Sequence, residues 1–217
     1  MDFVENISNK NIINNNSVTI SGSNLFWFSK RSFDIIFSIA LLPILILSTI
    51  IIFFLNFIFN RGSIFFIQER MGKNCEPFYA IKYRTMIEVD VINRNYSDPL
   101  EVDRITFLGA SLRKIRLDEL PQILNVIKGD MSLIGPRPDY YKHAQFFLKN
   151  IPDYRQRHLI RPGISGLSQI RLGYAEGVSA TKKKSRVDVY YIKNASFYLE
   201  LKIFFATLAI IFKAMGS

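Results

Sequence analysis

Residues 33–59 read "FDIIFSIALLPILILSTIIIFFLNFIF", a run of 27 residues with a single charge, Asp34. At about 1.5 Å rise per residue a straight helix of this length exceeds the ~30 Å hydrocarbon core of a bilayer. The run is therefore a membrane segment. A cleaved signal peptide is the competing reading, but the stretch is too long for one, begins late, and is not followed by a small-residue cleavage pattern.

The flanks set the orientation. Lys30 and Arg31 precede the run, and Arg61, Arg70 and Lys73 follow it. Positive flanks resist translocation, so both ends favour the cytoplasmic side. A helix that enters and turns back satisfies both flanks, and Pro43, which removes a backbone donor inside the run, marks the expected bend. The plainer alternative is a spanning helix with a tolerated proline.

On either side of this segment the composition changes. Residues 1–29 are rich in Asn and Ser ("NISNKNIINNNSVTISGSN") and read as a disordered lead. After "NRGS" come strand-like pieces, "IFFIQER" and "PFYAIKYRTM", then a polar stretch over 88–104 and helical periods from about Ser111 onward. The expected architecture is an α-rich α+β chain. It has a lead over 1–29, a re-entrant membrane helix hairpin over 30–60, and a compact, mostly helical cytosolic domain over 61–217. Near the C-terminus, Ile203 to Phe212 is apolar between Lys202 and Lys213, too short to span a bilayer. Two readings stay open for it, an interfacial amphipathic helix that seats Phe204, Phe205 and Phe212 in the acyl boundary, or ordinary core packing.

The chain carries a net charge of +10, and residues 60–217 hold all of it, because the lead and the membrane segment cancel. Such a surplus attracts nucleic acid, anionic headgroups or phosphorylated substrates. Cys75 is the only cysteine, which excludes an intrachain disulfide, and His143 and His158 lack the companions of a metal cluster. There is no Walker loop, no G-x-G-x-x-G after a strand and no zinc spacing, which argues against the common nucleotide folds.

Against this basic background, residues 117–139 read "LDELPQILNVIKGDMSLIGPRPD" and place Asp118 beside Glu119. Leu120, Ile123, Leu124 and Ile127 lie on one face of a helix that Pro121 starts and Gly129 stops. Asp118 then falls close to the N-cap, and a capping role alone would account for it. The context adds chemistry: Arg113, Lys114 and Arg116 precede the pair and Arg137 follows it. These cations are expected to depress the Asp118 pKa and keep it ionised as acceptor, metal ligand or nucleophile. Attack on a phosphate calls for neutralisation by Mg²⁺ or arginine. "GPRP" at 135–138 and "RPGISG" at 161–166 each hold an arginine, Arg137 and Arg161, in a stiff backbone suited to bidentate phosphate contact.

Together the segments "KRSFD", "FFIQERMGKN", "FYAIKYRTM", "DRITFLGASLRKIRLDELPQILNVIKGDMSLIGPRPD", "RPGISGLSQI" and "VDVYYIKN" resemble the bacterial sugar transferase family, the small monotopic polyprenyl-phosphate phosphoglycosyl transferases. The resemblance runs from about Lys30 to Lys213. It implies an enzyme of the bacterial inner (cytoplasmic) membrane with its catalytic domain facing the cytoplasm. Such an enzyme moves a sugar-1-phosphate from a UDP-sugar to undecaprenyl or another polyprenyl phosphate and releases UMP. This is the first membrane step of polysaccharide, lipopolysaccharide or glycoprotein glycan assembly. By the same resemblance Asp118 is the nucleophile that carries the phosphosugar, Glu119 assists proton handling or holds the dyad, and Mg²⁺ sits by Asp118.

The cations assigned to substrate phosphate are Lys82, Arg84, Arg113, Arg137 and Arg161. The implied partners are the donor, the lipid acceptor and the bilayer, with no nucleic acid and with homo-oligomerisation left open. The pattern departs from the family where Leu42 precedes Pro43, where Thr49 follows Ser48 in place of proline, and where Leu167 stands for a common tryptophan. The lysine cluster in "YAEGVSATKKKSR" has no assignable helical face. The chain resembles the minimal catalytic form, without the extra helices of larger relatives. The rival expectation is a membrane-tethered basic binder of nucleic acid or anionic lipid, with the dyad only a cap; it predicts strongly salt-dependent binding.

Overall fold

The computed structural model describes residues 18–89, 95, 96, 98, 101–173 and 177–215, with side chains described through 212. The first helix, α1 (Asn24–Ala40), begins inside the segment expected to be a disordered lead. Ser23 caps it, its hydroxyl accepting from Phe26 N–H at 3.2 Å, and the Ser21 N–H docks on the Ile192 carbonyl at 3.0 Å. The cluster Leu25-Phe26-Trp27-Phe28 supplies the apolar surface that the preceding Asn-rich composition lacks. Residues 1–17 of the expected lead lie outside the described residues.

The apolar run is split. α1 stops at Ala40, Leu41 forms a turn, and α2 (Leu42–Phe59) restarts with Pro43 in its first turn. The cause is local, because the Pro43 ring excludes the carbonyl four residues back and offers no donor to it. α2 is the one helix among the described residues long and apolar enough to cross a membrane, with a mean hydropathy of 2.6.

Each half turns a narrow polar stripe inward. In α1 the buried residues are Phe26, Lys30, Asp34 and Ser38, and in α2 they are Leu45, Ser48, Ile52 and Asn56. Lys30 pairs with Glu200 at 2.6 Å, and Asp34 accepts from the Ser132 hydroxyl at 2.7 Å. In α2 the Tyr83 hydroxyl meets Ser48 at 2.9 Å and Thr49 at 2.7 Å, and Asn60, just past its end, donates to the Arg84 carbonyl at 2.9 Å. The remaining faces expose Phe33, Ile36, Ile46, Leu47, Phe54 and Ile58.

Beyond the apolar run, β1 (Phe65–Met71) and β2 (Pro77–Tyr83) form an antiparallel hairpin in the register Phe65↔Tyr83 to Met71↔Pro77. α3 (Phe107–Lys114) and α4 (Gln122–Lys128) follow; α4 starts after Pro121 and ends at Gly129, whose φ of 104° gives the left-handed C-cap. Leu45, Ile52, Tyr83, Leu108, Leu112 and Ile123 form one core cluster, so the apolar helix α2 shares its packing with the elements that flank the dyad. Full burial of side chains of this size stabilises by roughly 1.5–3 kcal/mol each.

A second, parallel pair joins β3 (Ser132–Ile134) to β4 (Gly163–Ser165). Here Gly163 is required sterically, because a Cβ on it would lie 2.1 Å from the Gly135 nitrogen. α5 (Tyr141–Asn150), α6 (Leu167–Leu172), α7 (Gly177–Lys193) and α8 (Phe197–Met215) complete the helix-rich domain. In α8, Ile203 is buried in a core with Tyr191 and Ile192 and Phe204 packs against that core, contrary to its expected place in the acyl boundary, while Leu201, Phe205 and Phe212 are exposed.

Candidate active site

A cleft of about 720 Å³ opens between the β1–β2 hairpin, the 3₁₀ turn Leu117–Glu119 and the "GPRP" arm. The turn follows Arg116, whose φ of 59° reverses the chain after α3 and brings both carboxylates under the hairpin. Neither the turn nor α4 carries a side-chain cap, and Asp118 Oδ1 is buried without a hydrogen-bond partner. The capping reading of Asp118 therefore fails, since a capping carboxylate would accept from the helix N–H groups.

Glu119 is the held member of the pair. Lys82 Nζ donates to its Oε1 at 2.8 Å, Arg137 Nη1 to its Oε2 at 3.2 Å, Arg137 Nη2 makes a further short contact to Oε1, and Arg116 lies at 3.7 Å. Burial alone would raise its pKa, but Arg137 and Lys82 outweigh it and hold the carboxyl well below the usual range.

Asp118 goes the other way. Burial and the neighbouring Glu119 charge raise its pKa, against the pull of Lys82, Arg137 and Arg113. The expectation of a depressed Asp118 is corrected on this point: the nearest cations are committed to Glu119, and desolvation wins. The cations are strained in turn, since burial and Arg137 bring Lys82 down to about 8 and Arg70 down to about 10.

Of the residues singled out for phosphate, Lys82, Arg113 and Arg137 line the cleft with the dyad. Arg113 is aimed by its Nε donating to Thr85 Oγ1 at 2.8 Å. Arg84 borders the cleft, but its Nη1 pairs with Glu88 at 2.7 Å and its Nη2 clasps the Asn60 carbonyl, so its work is to join the end of α2 to the hairpin. Arg161 is not brought to the site: it is exposed and donates from Nε to the Gly129 carbonyl at 2.8 Å, closing α4. The "RPGISG" turn serves the backbone contact of β3 with β4.

Other cleft residues escaped the sequence reading. Arg70, at the end of β1, donates from Nη1 to the Pro138 carbonyl at 2.9 Å. Asp139 binds Arg157, Lys184 and the Tyr154 hydroxyl, the last at 2.7 Å. Lys184 is the member of the unplaced lysine cluster that turns inward, while Lys182 and Lys183 are exposed. The available signal was the aspartate directly after Pro-Arg-Pro. His158 is buried with Nδ1 3.0 Å from the Gly72 carbonyl, and burial lowers its pKa to about 3. No metal-holding group of three His, Cys, Asp or Glu occurs among the described residues.

A cleft that sets a buried carboxylate with an unpartnered oxygen among converging cations, on a domain that carries a long apolar helix, agrees with the family model of bacterial sugar transferases, which matches residues 25–214. The chain belongs to the bacterial sugar transferase family. It is 38% identical over 199 residues to the UDP-N-acetylgalactosamine-undecaprenyl-phosphate N-acetylgalactosaminephosphotransferase of Aeromonas hydrophila, covering 90% of this chain and 46% of that protein. To the UDP-glucose:undecaprenyl-phosphate glucose-1-phosphate transferase of Caulobacter vibrioides it is 39% identical over 154 residues, 68% of this chain and 56% of that protein. The exopolysaccharide production protein PSS of Rhizobium leguminosarum bv. phaseoli shares 35% identity over 192 residues, with 82% of this chain and 92% of that protein covered. This sugar transferase chain thus spans about half the length of two of these relatives and nearly all of the third. The relatives named for a polyprenyl acceptor, and the apolar helix α2, are consistent with a membrane location.

Proposed function

We propose that this sugar transferase moves a sugar-1-phosphate from a UDP-sugar to undecaprenyl phosphate and releases UMP, with Asp118 as the covalent carrier. The observation that carries the reading is the buried Asp118 oxygen without a partner, set beside a Glu119 that Lys82 and Arg137 already neutralise. In the first half-reaction an Asp118 oxygen bonds to the sugar-bearing phosphorus. The bond from that phosphorus to the bridging oxygen breaks, and its electrons leave with UMP. In the second, an oxygen of the lipid phosphate bonds to the same phosphorus, and the bond to Asp118 breaks, restoring the carboxylate.

Raising the Asp118 pKa makes its ionised form a stronger nucleophile once deprotonated. Glu119, held ionised, serves to fix Lys82 and Arg137 in the cleft; that arrangement favours the dyad-holding role over proton transfer. Arg113 and Arg137 are placed to screen the phosphate charge that opposes attack by an anion.

The donor set also fits a magnesium ion. Asp118 alone offers an uncommitted carboxylate oxygen, because both Glu119 oxygens face cations, and Mg²⁺ takes one or two carboxylates plus substrate phosphate oxygens. When bound beside Asp118, the ion would supply charge neutralisation on the diphosphate.

The membrane geometry proposed is re-entrant, with the catalytic domain on the cytoplasmic side of the inner membrane. It is supported by contacts at both ends of the apolar run: Asp34 near its start bonds Ser132, and Asn56 and Asn60 near its finish bond Gly62 and Arg84 of the same domain. A helix of 18 residues that crossed would carry one end about 27 Å away. The exposed Leu201, Phe205 and Phe212 of α8 and Phe107 of α3 then seat at the interface. The alternative of a basic binder drew on net charge, whereas the cleft cations converge on two carboxylates. The test is UMP release from a panel of UDP-sugars with undecaprenyl phosphate in nanodiscs: one or more donors turn over, and Asp118→Asn stops it. Salt-sensitive nucleic-acid binding without any UMP release would overturn the reading.

A further inference from the structure

Pro136 and Pro138 leave the arm that carries Arg137 short of backbone donors, so its carbonyls carry much of its fixation. All four in succession are taken. Pro136 O accepts from Gly163 N–H at 3.0 Å, Arg137 O from Arg157 Nη2 at 2.7 Å, Pro138 O from Arg70 Nη1 at 2.9 Å, and Asp139 O from Met71 N–H at 3.0 Å.

Among these donors Arg157 is singular. It is 1% exposed, and it is held from three sides: Nε donates to Asp188 Oδ2 at 2.9 Å, Nη1 contacts Asp139 Oδ2, and the guanidinium sits 5.3 Å over the Tyr154 ring. Asp139 is in turn fixed by Lys184 and by the Tyr154 hydroxyl. A fully buried arginine between two carboxylates is a rigid, charge-balanced post. Its Nη2, which also lies 2.8 Å from Asp188 Oδ2, donates to the main chain of the residue that grips Glu119.

We infer that Arg157 is a positioning residue for phosphosugar transfer, which acts by fixing the peptide of Arg137 so that the Arg137 guanidinium stays on Glu119 and faces the reacting phosphate. The inference rests on the reading of the cleft given above. Arg157 does not touch substrate; it works through Arg137, with Asp139 and Asp188 as its supports. A lysine at this position keeps the charge but has no fork to reach Asp188, Asp139 and the Arg137 carbonyl together. Displacement of a catalytic group by about 1 Å is enough to cost ~100-fold in rate.

The experiment is a double-mutant cycle of Arg157→Lys and Arg137→Ala, read as the single-turnover rate of UMP release in nanodiscs. In the parent background Arg157→Lys is expected to lower the rate about 10–100-fold. In the Arg137→Ala background it is expected to cost less than about twofold, because the residue it positions is gone. The alkaline limb of the pH profile should also move up in Arg157→Lys, since Arg137, whose charge lowers Lys82, is no longer fixed beside it. Equal losses in both backgrounds, or an unshifted limb with a loss that follows only the amount of folded protein, would overturn the role. Should Arg157→Lys not fold, Tyr154→Phe, which removes one hydroxyl from Asp139 and Arg157, replaces it in the same cycle under the same criterion. A parent that releases no UMP would sink the reading of the cleft, whereas additive losses in an active parent sink this inference alone.

Discussion

Replacing Glu119 with glutamine removes the charge that organises the cleft while keeping the side-chain volume. The structure fixes the sign of three consequences. Glu119 has a side chain 8% exposed, bound by Lys82 at 2.8 Å and by Arg137, with Arg116 at 3.7 Å. Removing one partner of a buried pair costs about 3–5 kcal/mol, because the cations stay behind without compensation. At roughly 2–4 °C per kcal/mol for a chain of this size, the apparent Tm should fall by roughly 6–20 °C.

Both limbs of the pH–rate profile should move to lower pH. Asp118 loses the like charge that helps to raise it, so the acid limb descends. Lys82 loses the carboxylate that opposes its depression, so the alkaline limb falls below about 8. For stability, the wild-type Glu119 has a folded pKa below the unfolded value of about 4.3, so its contribution is present above that pH and is lost as pH falls through the folded pKa. The glutamine variant should therefore lose its deficit relative to wild type in acid. The assay is UMP release across pH 5–10 together with thermal melts in nanodiscs. Limbs that stay in place, or move in opposite directions, would refute the assignment of these charges.

Three further outcomes follow from the same contacts. Lys82→Arg should carry the alkaline limb above its wild-type position, because guanidinium stays charged through this range; an unmoved limb would detach that limb from Lys82. Asp118→Asn should abolish transfer while the Tm stays equal to or above wild type, since it removes a buried carboxylate oxygen that has no partner. Arg161→Gln should keep UMP release within about twofold and cost about 1 kcal/mol or less in a melt, because one exposed hydrogen bond to Gly129 is lost; a large kinetic loss would place Arg161 in the cleft after all.

What the sequence disclosed was the local chemistry. Pro121 and Gly129 bracket α4 because a missing donor and a left-handed cap act within one turn. The apolar run and the interruption beside Pro43 were legible for the same reason, and "IFFIQER" and "PFYAIKY" became the two strands of the hairpin. The misses are matters of tertiary placement. The Asp118 shift reversed direction because burial raises it and the cations Lys82 and Arg137 bind its neighbour Glu119. Arg161 and Arg137 sit in similar proline turns, yet only the Arg137 arm crosses to the dyad. Arg157 and Asp188 lie 31 residues apart, and no periodicity announces their pairing.

The covalent carrier is tested most directly by incubating the purified chain in nanodiscs with a UDP-sugar that turns over and no lipid phosphate, then quenching and measuring the mass of the peptide that contains residues 117–128. The account predicts one equivalent of UMP per active site and a phosphosugar mass increment on Asp118, discharged when undecaprenyl phosphate is added. UMP that appears only when both substrates are present, with that peptide unmodified throughout, would contradict it.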